Sequence, residues 1–184
     1  MRIVGGNLSG RVLRAPAGAR TRPTSDKVRE AIFAILSNHG DPVTGAHVLD
    51  LFAGSGALGI EALSRGASHA TLVDSAKAAL VTIRGNLNAL DLAQSATVVG
   101  ADVMAFISRP CSLPWGLVFL DPPYASDWAI RAASSLAPNC LTPNAAVVME
   151  HDRRHLPPDI LGSLRQTDQR RYGDTFVSFY RHAS

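Results

Sequence analysis

The spacing of apolar residues changes near residue 46, and the two parts of the chain predict different structures. Upstream, residues 2–14 (RIVGGNLSGRVLR) alternate weakly around three glycines, which indicates a small hairpin. Residues 24–38 (TSDKVREAIFAILSN) carry apolar side chains at helical spacing, and this pattern predicts one helix. Thr24 or Ser25 can cap that helix, because both side chains can accept a backbone N–H bond.

Downstream, short β-branched apolar runs alternate with helical patterns. The predicted strands cover 47–52, 69–74, 96–102, 115–121 and 144–150, and the predicted helices cover 56–66, 75–92, 103–108 and 128–138. Such alternation is typical of a parallel sheet with helices on both faces. Two last strands, 163–173 and 174–182, are expected as an antiparallel pair at or near the sheet edge. We therefore predict an α/β, Rossmann-like fold: a mostly parallel seven-stranded sheet with a small N-terminal β-hairpin extension.

Length and composition suit a single domain with its own core. The chain has 184 residues, of which 46% are hydrophobic and 18% are charged, as in ordinary globular domains. We expect residues 1–23 to form a basic arm and residues 24–184 to form the catalytic core. We find neither a secretory signal nor an apolar run near the ~20 residues of a membrane span. The expectation is a cytoplasmic monomer without membrane contact.

Neither metal nor disulfide chemistry is expected. Cys111 and Cys140 are the two cysteines, and they have neither metal-ligand nor redox spacing. We interpret them as reduced thiols of the core. The six histidines also show no ligand spacing, so no metal is predicted.

Positive charge is concentrated at the start of the chain. Residues 1–30 hold seven basic and two acidic residues, whereas the formal net charge of the whole chain is +3. A local basic excess can bind a polyanion such as RNA, and it can equally form a solvated surface. The candidate RNA-binding residues are Arg2, Arg11, Arg14, Arg20, Arg22, Lys27 and Arg29.

Residues 54–59 (GSGALG) match the pattern G-x-G-x-x-G between a predicted strand and a predicted helix. Asp74 ends the next predicted strand, where a carboxylate can accept both ribose hydroxyls of an adenosine-containing cofactor. NAD and S-adenosylmethionine both fit this pattern. Asp50 lies shortly before the loop and favours S-adenosylmethionine, because a carboxylate repels a pyrophosphate but attracts a cationic amino-acid tail.

Asp102 follows the third predicted strand of the core. At that place it can meet the adenine amine of the cofactor, or it can cap the helix that starts at Val103. The two roles are compatible.

The tetrapeptide DPPY at 121–124 ends the fourth predicted strand. Two prolines cannot continue a strand, so the chain turns a stiff corner that carries a carboxylate and an aromatic ring. Ligands of an open α/β sheet bind at the carboxyl ends of its strands, so Asp121 should face the cofactor. Asp121 and the Pro122 carbonyl can accept the two N–H groups of a ring-conjugated amine, and Tyr124 can stack on its ring. The alternative is a turn without a chemical role.

Taken together, these motifs resemble a known family. LDLFAGSGALGIEALSRGA and DPPY look like the class I S-adenosylmethionine-dependent methyltransferases that act on amino groups. RIVGGNLSGRVL, TRPTSDKVREAIF and RRYGDTFVSFY are similar to the bacterial 16S ribosomal RNA guanine-N2 methyltransferases, the RsmD-like family. The resemblance implies methyl transfer to the exocyclic N2 amine of one guanine in 16S ribosomal RNA, on the 30S subunit.

The resemblance also implies roles for single residues. The catalytic motif is matched by Asp121, Pro122, Pro123 and Tyr124. The cofactor site is matched by Asp50, Phe52, Gly54, Gly56 and Asp74, and a segment that closes over the methionine end is matched by Arg22, Pro23 and Thr24. We extend the cofactor site to Ala53, Ser75, Asp102 and Val103. Relatives often carry Phe in place of Tyr124 and Glu in place of Asp74, which keeps a ring and a carboxylate.

Other functions fit the sequence less completely. The same corner serves enzymes that methylate adenine in DNA or glutamine in proteins. An NAD-dependent oxidoreductase would use the same glycine loop, and a ribosome-associated protein without activity would keep the basic arm. Asp121 and Tyr124 are both present, which argues against loss of activity.

Overall fold

The computed structural model describes residues 1–16, 25–122 and 127–182. These residues form one sheet of eight strands with five α-helices. The strands are β1 (His47–Leu51), β2 (His69–Asp74), β3 (Ala96–Gly100), β4 (Trp115–Leu120), β5 (Leu141–Asp152), β6 (Ile160–Leu161), β7 (Leu164–Tyr172) and β8 (Thr175–His182). The helices are α1 (Asp26–Asn38), α2 (Ala57–Ser64), α3 (Lys77–Ala89), α4 (Val103–Ile107) and α5 (Trp128–Ser135). None of the described helices has the length and apolar character that crossing a membrane requires.

The strand order is β3-β2-β1-β4-β5-β8-β7-β6. The first five strands pair in parallel, and β8, β7 and β6 continue the sheet in antiparallel pairs. This confirms the predicted Rossmann-like α/β fold. The predicted number of seven strands is wrong by one. The extra strand, β6, has two residues and turns through Gly162 at φ +60° into β7, so it is too short to show a periodic pattern.

Two apolar clusters cover the two faces of the sheet. One cluster joins α1, α2 and α3 to the sheet, and the other joins α4 and α5 to it. Strands β1, β2 and β4 are buried on both faces, which explains why their sequences are almost continuously apolar. Helix α1 begins where the sequence predicted, since the Ser25 side chain accepts a bond from the Val28 N–H at 3.3 Å.

The N-terminal hairpin exists in a minimal form. Residues 1–13 reverse direction through a 3₁₀ turn at Gly6–Leu8, and Arg2 and Val12 form an isolated antiparallel bridge. Ile3 and Leu13 point into the cluster around α1–α3 and are almost fully buried. The segment therefore packs on helices and adds no strand to the sheet.

Cys111 and Cys140 form a disulfide, with their Cα atoms 5.7 Å apart. The predicted pair of reduced thiols is therefore wrong. The bridge forms because β4 and β5 are neighbours, and Trp115 pairs with Leu141 just beyond the two cysteines. Spacing along the chain carries no information about this contact, since the two cysteines are brought together only by the sheet.

Candidate functional site

The carboxyl edge of the parallel strands brings four aspartates to one side of the molecule. Asp50 lies in β1, Asp74 ends β2, Asp102 follows β3 and Asp121 follows β4. Strand β1 lies between β2 and β4, and its connection to α2 crosses the opposite face from the connection of β4 to α5. A ligand crevice is expected where the connections diverge, which is between β1 and β4.

Asp74 anchors the glycine loop. One of its carboxylate oxygens accepts a hydrogen bond from the Gly54 N–H at 2.9 Å, and the other accepts one from the Ala76 N–H at 2.8 Å. The carboxylate is thereby fixed beside the loop, while each oxygen keeps a lone pair for a further donor. Ser75, next in the chain, is exposed at the same edge.

The backbone of the loop is in the left-handed region at three positions. Phe52, Gly54 and Gly56 have φ values of +63°, +57° and +79°. A non-glycine residue in this region is uncommon, and such strain is concentrated at functional sites. Ala53 between them is buried, and its N–H donates to the Val73 carbonyl at 3.0 Å, which ties the loop to β2.

The glycines of the loop differ in what surrounds them. A Cβ atom on Gly54 would meet no heavy atom closer than the Phe52 carbonyl oxygen at 3.9 Å. A Cβ atom on Gly59 would lie 3.0 Å from the Leu72 side chain and 3.2 Å from an Asp50 oxygen. Gly59 therefore permits close packing of α2 on the sheet, whereas Gly54 leaves an open cradle that a ligand backbone or tail can enter.

Asp50 lies beneath the loop and is 1% exposed. Its carboxylate accepts a hydrogen bond from the Gly59 N–H, in the first turn of α2, at 2.9 Å. The pKa of Asp50 is raised to about 7, chiefly by burial; the Gly59 hydrogen bond opposes this rise, and the charges of Asp121 and Asp74 add to it. The three carboxylates thus act on one another, and together they make the crevice a favourable place for a cationic group.

Asp121 and Pro122 are half-buried at the end of β4. Asp121 lies close enough to Asp50 for its charge to raise the pKa of that buried carboxyl. Pro123 and Tyr124 lie outside the described residues, and so do Arg20, Arg22, Pro23 and Thr24.

Asp102 caps α4, as the sequence allowed. Its side chain accepts a hydrogen bond from the Ala105 N–H at 3.0 Å, and Val103 behind it is buried. Asp102 itself is exposed at the carboxyl edge, so the cap leaves the second carboxylate oxygen accessible. Among the described residues, no group of three or more His, Cys, Asp and Glu side chains is arranged to hold a metal ion.

The structure corrects the prediction for Arg29. Its side chain is fully buried, donates to Asp26 at 2.8 Å and to the Arg2 carbonyl, and lies 3.9 Å from the Glu61 carboxylate. A buried guanidinium cannot reach a phosphate, so this residue holds the N-terminal segment on α1 and α2. Arg2, Arg11, Arg14 and Lys27 are exposed.

Polar side chains of α2 and α3 hold the N-terminal segment in place. Glu61 accepts the Val4 N–H at 2.8 Å, and the Ser64 hydroxyl donates to the Gly5 carbonyl at 2.6 Å. Asn86 exchanges two bonds with the backbone of Arg14 and donates to the Ser55 carbonyl in the glycine loop at 2.9 Å. The sequence interpretation missed these contacts. The sequence did contain one signal of these contacts, namely Glu61, a single carboxylate in the apolar run ALGIEALS.

The exposed arginines Arg11 and Arg14 of this segment lie at different distances from the carboxyl edge of the sheet. Arg11 donates to the Ala89 carbonyl at 2.9 Å, at the end of α3 that leads to the amino edge of the sheet. Arg14 lies nearer the crevice, because its backbone is bound to Asn86, which also holds Ser55. Of the two, Arg14 is therefore the better placed to touch a substrate at the carboxyl edge.

Comparison with known proteins places the chain in a family. The model of the family described as "Conserved hypothetical protein 95" matches residues 1–181. A Bacillus subtilis protein, YlbH, named as a candidate rRNA methyltransferase, is 40% identical over 98% of each chain. Ribosomal RNA small subunit methyltransferase D of Escherichia coli (strain K12) is 43% identical over 67% of this chain and 60% of that protein.

Solved structures agree with the sequence relatives. A structure of yhhF from Escherichia coli, described as a candidate methyltransferase, has a TM-score of 0.86 and 34% identity, and the match covers 100% of this chain and 98% of that one. Membership of a family whose named relatives are methyltransferases argues against an NAD-dependent oxidoreductase. The chain belongs to the RsmD-like family of class I S-adenosylmethionine-dependent methyltransferases.

Proposed function

We propose that this protein transfers a methyl group from S-adenosylmethionine to the exocyclic N2 amine of a guanine in 16S ribosomal RNA, within the 30S subunit. The observation that carries the proposal is the meeting of Asp50, Asp74 and Asp121 at adjacent strand ends, next to an open glycine cradle. The names of the relatives, which refer to the small ribosomal subunit, support RNA as the acceptor.

The cofactor half of the site would be built from β1, β2 and β3. Asp74 would accept the ribose hydroxyls with its remaining lone pairs, and Asp102 and Val103 would meet the adenine. The loop from Phe52 to Gly56, with Ser75 nearby, would hold the amino-acid tail, and Thr24 would close over it. The carboxylates of Asp74 and Asp121, joined by Asp50 when it is ionised, would favour the cationic tail. When bound, S-adenosylmethionine supplies an electrophilic methyl group.

The acceptor half would be built at the end of β4. An amine conjugated with a purine is a poor nucleophile, because its lone pair is delocalised into the ring. Asp121 and the Pro122 carbonyl would accept its two N–H groups and favour a more tetrahedral nitrogen. A hydrogen bond to a charged group contributes about 1.5–3 kcal/mol. The larger part of the lowering of the activation barrier would therefore come from alignment of the amine with the methyl group. Tyr124 would stack on the base and keep it aligned.

A methylation assay with several acceptors tests the proposal. The full-length protein is incubated with S-adenosylmethionine labelled on its methyl group and offered 30S particles, naked 16S ribosomal RNA, duplex DNA or a protein extract. We expect label in 16S ribosomal RNA, and mass spectrometry of its nucleosides should identify N2-methylguanosine at one position.

The other outcomes separate the alternatives. Label in DNA adenine or in protein glutamine would overturn the proposed substrate while keeping the family's chemistry. If naked 16S ribosomal RNA were labelled as fast as 30S particles, recognition of the substrate would depend on the RNA alone and not on the assembled subunit. Label in a different atom of 16S ribosomal RNA would keep the substrate and overturn the guanine-N2 assignment.

A further inference from the structure

We infer that three arginines near the ends of β5 and β7 form a second RNA-contact surface, which binds phosphates next to the target nucleotide. The residues of this acceptor-side surface are Arg153, Arg154 and Arg171. The inference rests on the proposed function for the identity of the partner. It adds a contact on the side of the crevice that lies away from the N-terminal segment.

The sheet register places these arginines above the acceptor half of the site. Leu120, the last residue of β4, pairs with Met149, and β5 continues to Asp152. Those three further residues extend the strand by about 10 Å past the floor of the crevice. Asp152 pairs with Thr175, and Thr175 pairs with Tyr172, so the β7–β8 turn lies level with the end of β5. The end of β5, β8 and β7 therefore forms a wall beside Asp121.

Arg154 projects from this wall, while its acidic partner is recessed. Arg154 is 75% exposed, whereas its ion-pair partner Asp152 is 16% exposed. Arg170 is 56% exposed beside Asp168 at 16%, but it points to the opposite face of β7 from Arg171. Arg153 and Arg171 are also exposed, and Asp174 is an exposed acidic residue in the neighbouring turn. Exposed pairs such as that of Arg154 and Asp152 are weak, so a phosphate can share the guanidinium at little cost.

Arg171 has the geometry of a prepared phosphate ligand. Its Nε donates to the Gly173 carbonyl at 2.8 Å, and its guanidinium carbon lies 5.8 Å from the centre of the Phe176 ring. His151 stacks on the other side of that ring at 5.8 Å and is fixed by the Ser178 hydroxyl at 2.8 Å. Among the described residues, the two terminal nitrogens of Arg171 have no hydrogen-bond partner. Pre-orientation of this kind reduces the entropy lost when a planar donor binds a phosphate.

A nucleic acid fits this surface better than a protein does. The wall offers guanidinium groups spread along the upper rim of a crevice. RNA that inserts one base at Asp121 must pass its flanking backbone over such a rim. Phosphate contacts position a nucleic acid and do not read its sequence, so the surface would orient the RNA while the corner at Asp121 selects the base.

Binding of a labelled single-stranded oligoribonucleotide, measured by fluorescence anisotropy at several salt concentrations, tests the inference on the full-length protein. The variant carries Arg153→Gln and Arg171→Gln. We expect the slope of log affinity against log salt to fall by about 1.4 in total, because each phosphate contact on a single strand contributes about 0.7. The matched control is Arg165→Gln, an exposed arginine on the same strand at its opposite end, which should leave the slope unchanged.

The outcomes separate the inference from the proposed function. An unchanged salt slope in the double variant, with normal binding of S-adenosylhomocysteine, overturns the inference even if the protein methylates 16S ribosomal RNA. A reduced slope in a protein that does not methylate 16S ribosomal RNA upholds the inference and overturns the proposed substrate. An unchanged slope together with a selective loss of turnover on 30S particles would assign the surface to a ribosomal protein, which also overturns it.

Discussion

At the scale of single residues, the two glycines Gly54 and Gly59 of one motif have different tasks. Gly54→Ala adds a methyl group to open space and costs about 1 kcal/mol of backbone strain, since its φ is +57°. Gly59→Ala pushes against Leu72 and Asp50. We expect Gly54→Ala to keep the fold and weaken binding of S-adenosylhomocysteine at least tenfold, and Gly59→Ala to lose about 1–3 kcal/mol of stability.

Calorimetric titration and urea unfolding of both variants measure the two effects separately. If Gly54→Ala bound S-adenosylhomocysteine as tightly as the unmodified protein, the cradle would not be the place of the cofactor tail. If Gly59→Ala unfolded at the same urea concentration as the unmodified protein, the close packing of α2 on β1 and β2 would tolerate a methyl group.

Asp121 and Asp74 are carboxylates of the same edge with different predicted effects. Asp121→Ala should lower kcat about 100-fold, a typical loss for one catalytic hydrogen-bonding group, while binding of S-adenosylhomocysteine is retained. Asp74→Ala should weaken that binding instead, because Asp74 fixes the Gly54 N–H and would accept the ribose hydroxyls. Steady-state kinetics with 30S particles and direct binding measurements distinguish them. If both variants lost kcat and affinity for S-adenosylhomocysteine to the same extent, the division of the site into a cofactor half and an acceptor half would be contradicted.

At the scale of elements, the link between the N-terminal segment and α2 depends on one buried carboxylate. Glu61 is fully buried, pairs with Arg65 at 2.8 Å and accepts the Val4 N–H at 2.8 Å. Removal of one partner from a buried ionic network costs about 3–5 kcal/mol, so Glu61→Ala should lower the free energy of unfolding by that amount. Urea denaturation provides the measurement, with the exposed Glu30→Ala on α1 as control. A similar loss in both variants would contradict the role of the buried network.

The disulfide joins the segment before β4 to the start of β5. It closes a loop with a sequence separation of 29 residues, which corresponds to about 3.5 kcal/mol in the chain-entropy treatment of the unfolded state. Reduction should therefore lower the free energy of unfolding by up to that amount, and Cys111→Ser should reproduce the effect. Both cysteines lie at the amino edge, so methyl transfer should be unaffected below the unfolding temperature. A loss of activity without a loss of stability would contradict a purely structural bridge.

The elements that the sequence predicted best are those whose pattern is local. Strands β1 to β5 are apolar runs bounded by polar turns, and the glycine loop has a fixed spacing, so both could be recognised. The carboxylates Asp50, Asp74 and Asp121 followed from the rule that parallel strands share their carboxyl edge. The burial of Arg29, the disulfide and the hold of Asn86 on the glycine loop depend on contacts between distant parts of the chain. A charge count cannot distinguish a buried arginine from an exposed one.

At the scale of the whole molecule, the sheet order separates two halves of the carboxyl edge. In the proposed site, β3, β2 and β1 carry the loop and the acids of the cofactor half. Strands β4, β5, β8 and β7 carry Asp121 and the acceptor-side surface. The N-terminal segment is fastened to α2 and α3 on one face, and the arginines after β5 and near the end of β7 lie at the far side of the crevice. An RNA substrate would therefore be held from both sides of the base that reacts.

The buried Asp50 links the stability of the whole fold to pH. Its pKa is raised from 3.8 in its ordinary state to about 7 in the fold. The folded state thus binds the proton more tightly than the unfolded state does. The stabilisation from this group is fully present below pH 4 and is lost as the pH rises through 7. The expected slope is at most about 1.4 kcal/mol per pH unit between those values.

Asp50→Asn keeps an acceptor for the Gly59 N–H and removes the ionisation. The difference in the free energy of unfolding between the unmodified protein and this variant should therefore fall between pH 4 and pH 7 and level off above it. Urea unfolding across that range, at constant ionic strength, measures the difference. Asp91→Asn, at an exposed turn, provides the control and should run parallel to the unmodified protein. A difference that stays constant across this range would mean that Asp50 is ionised throughout, held by positive charge that outweighs its burial and its acidic neighbours.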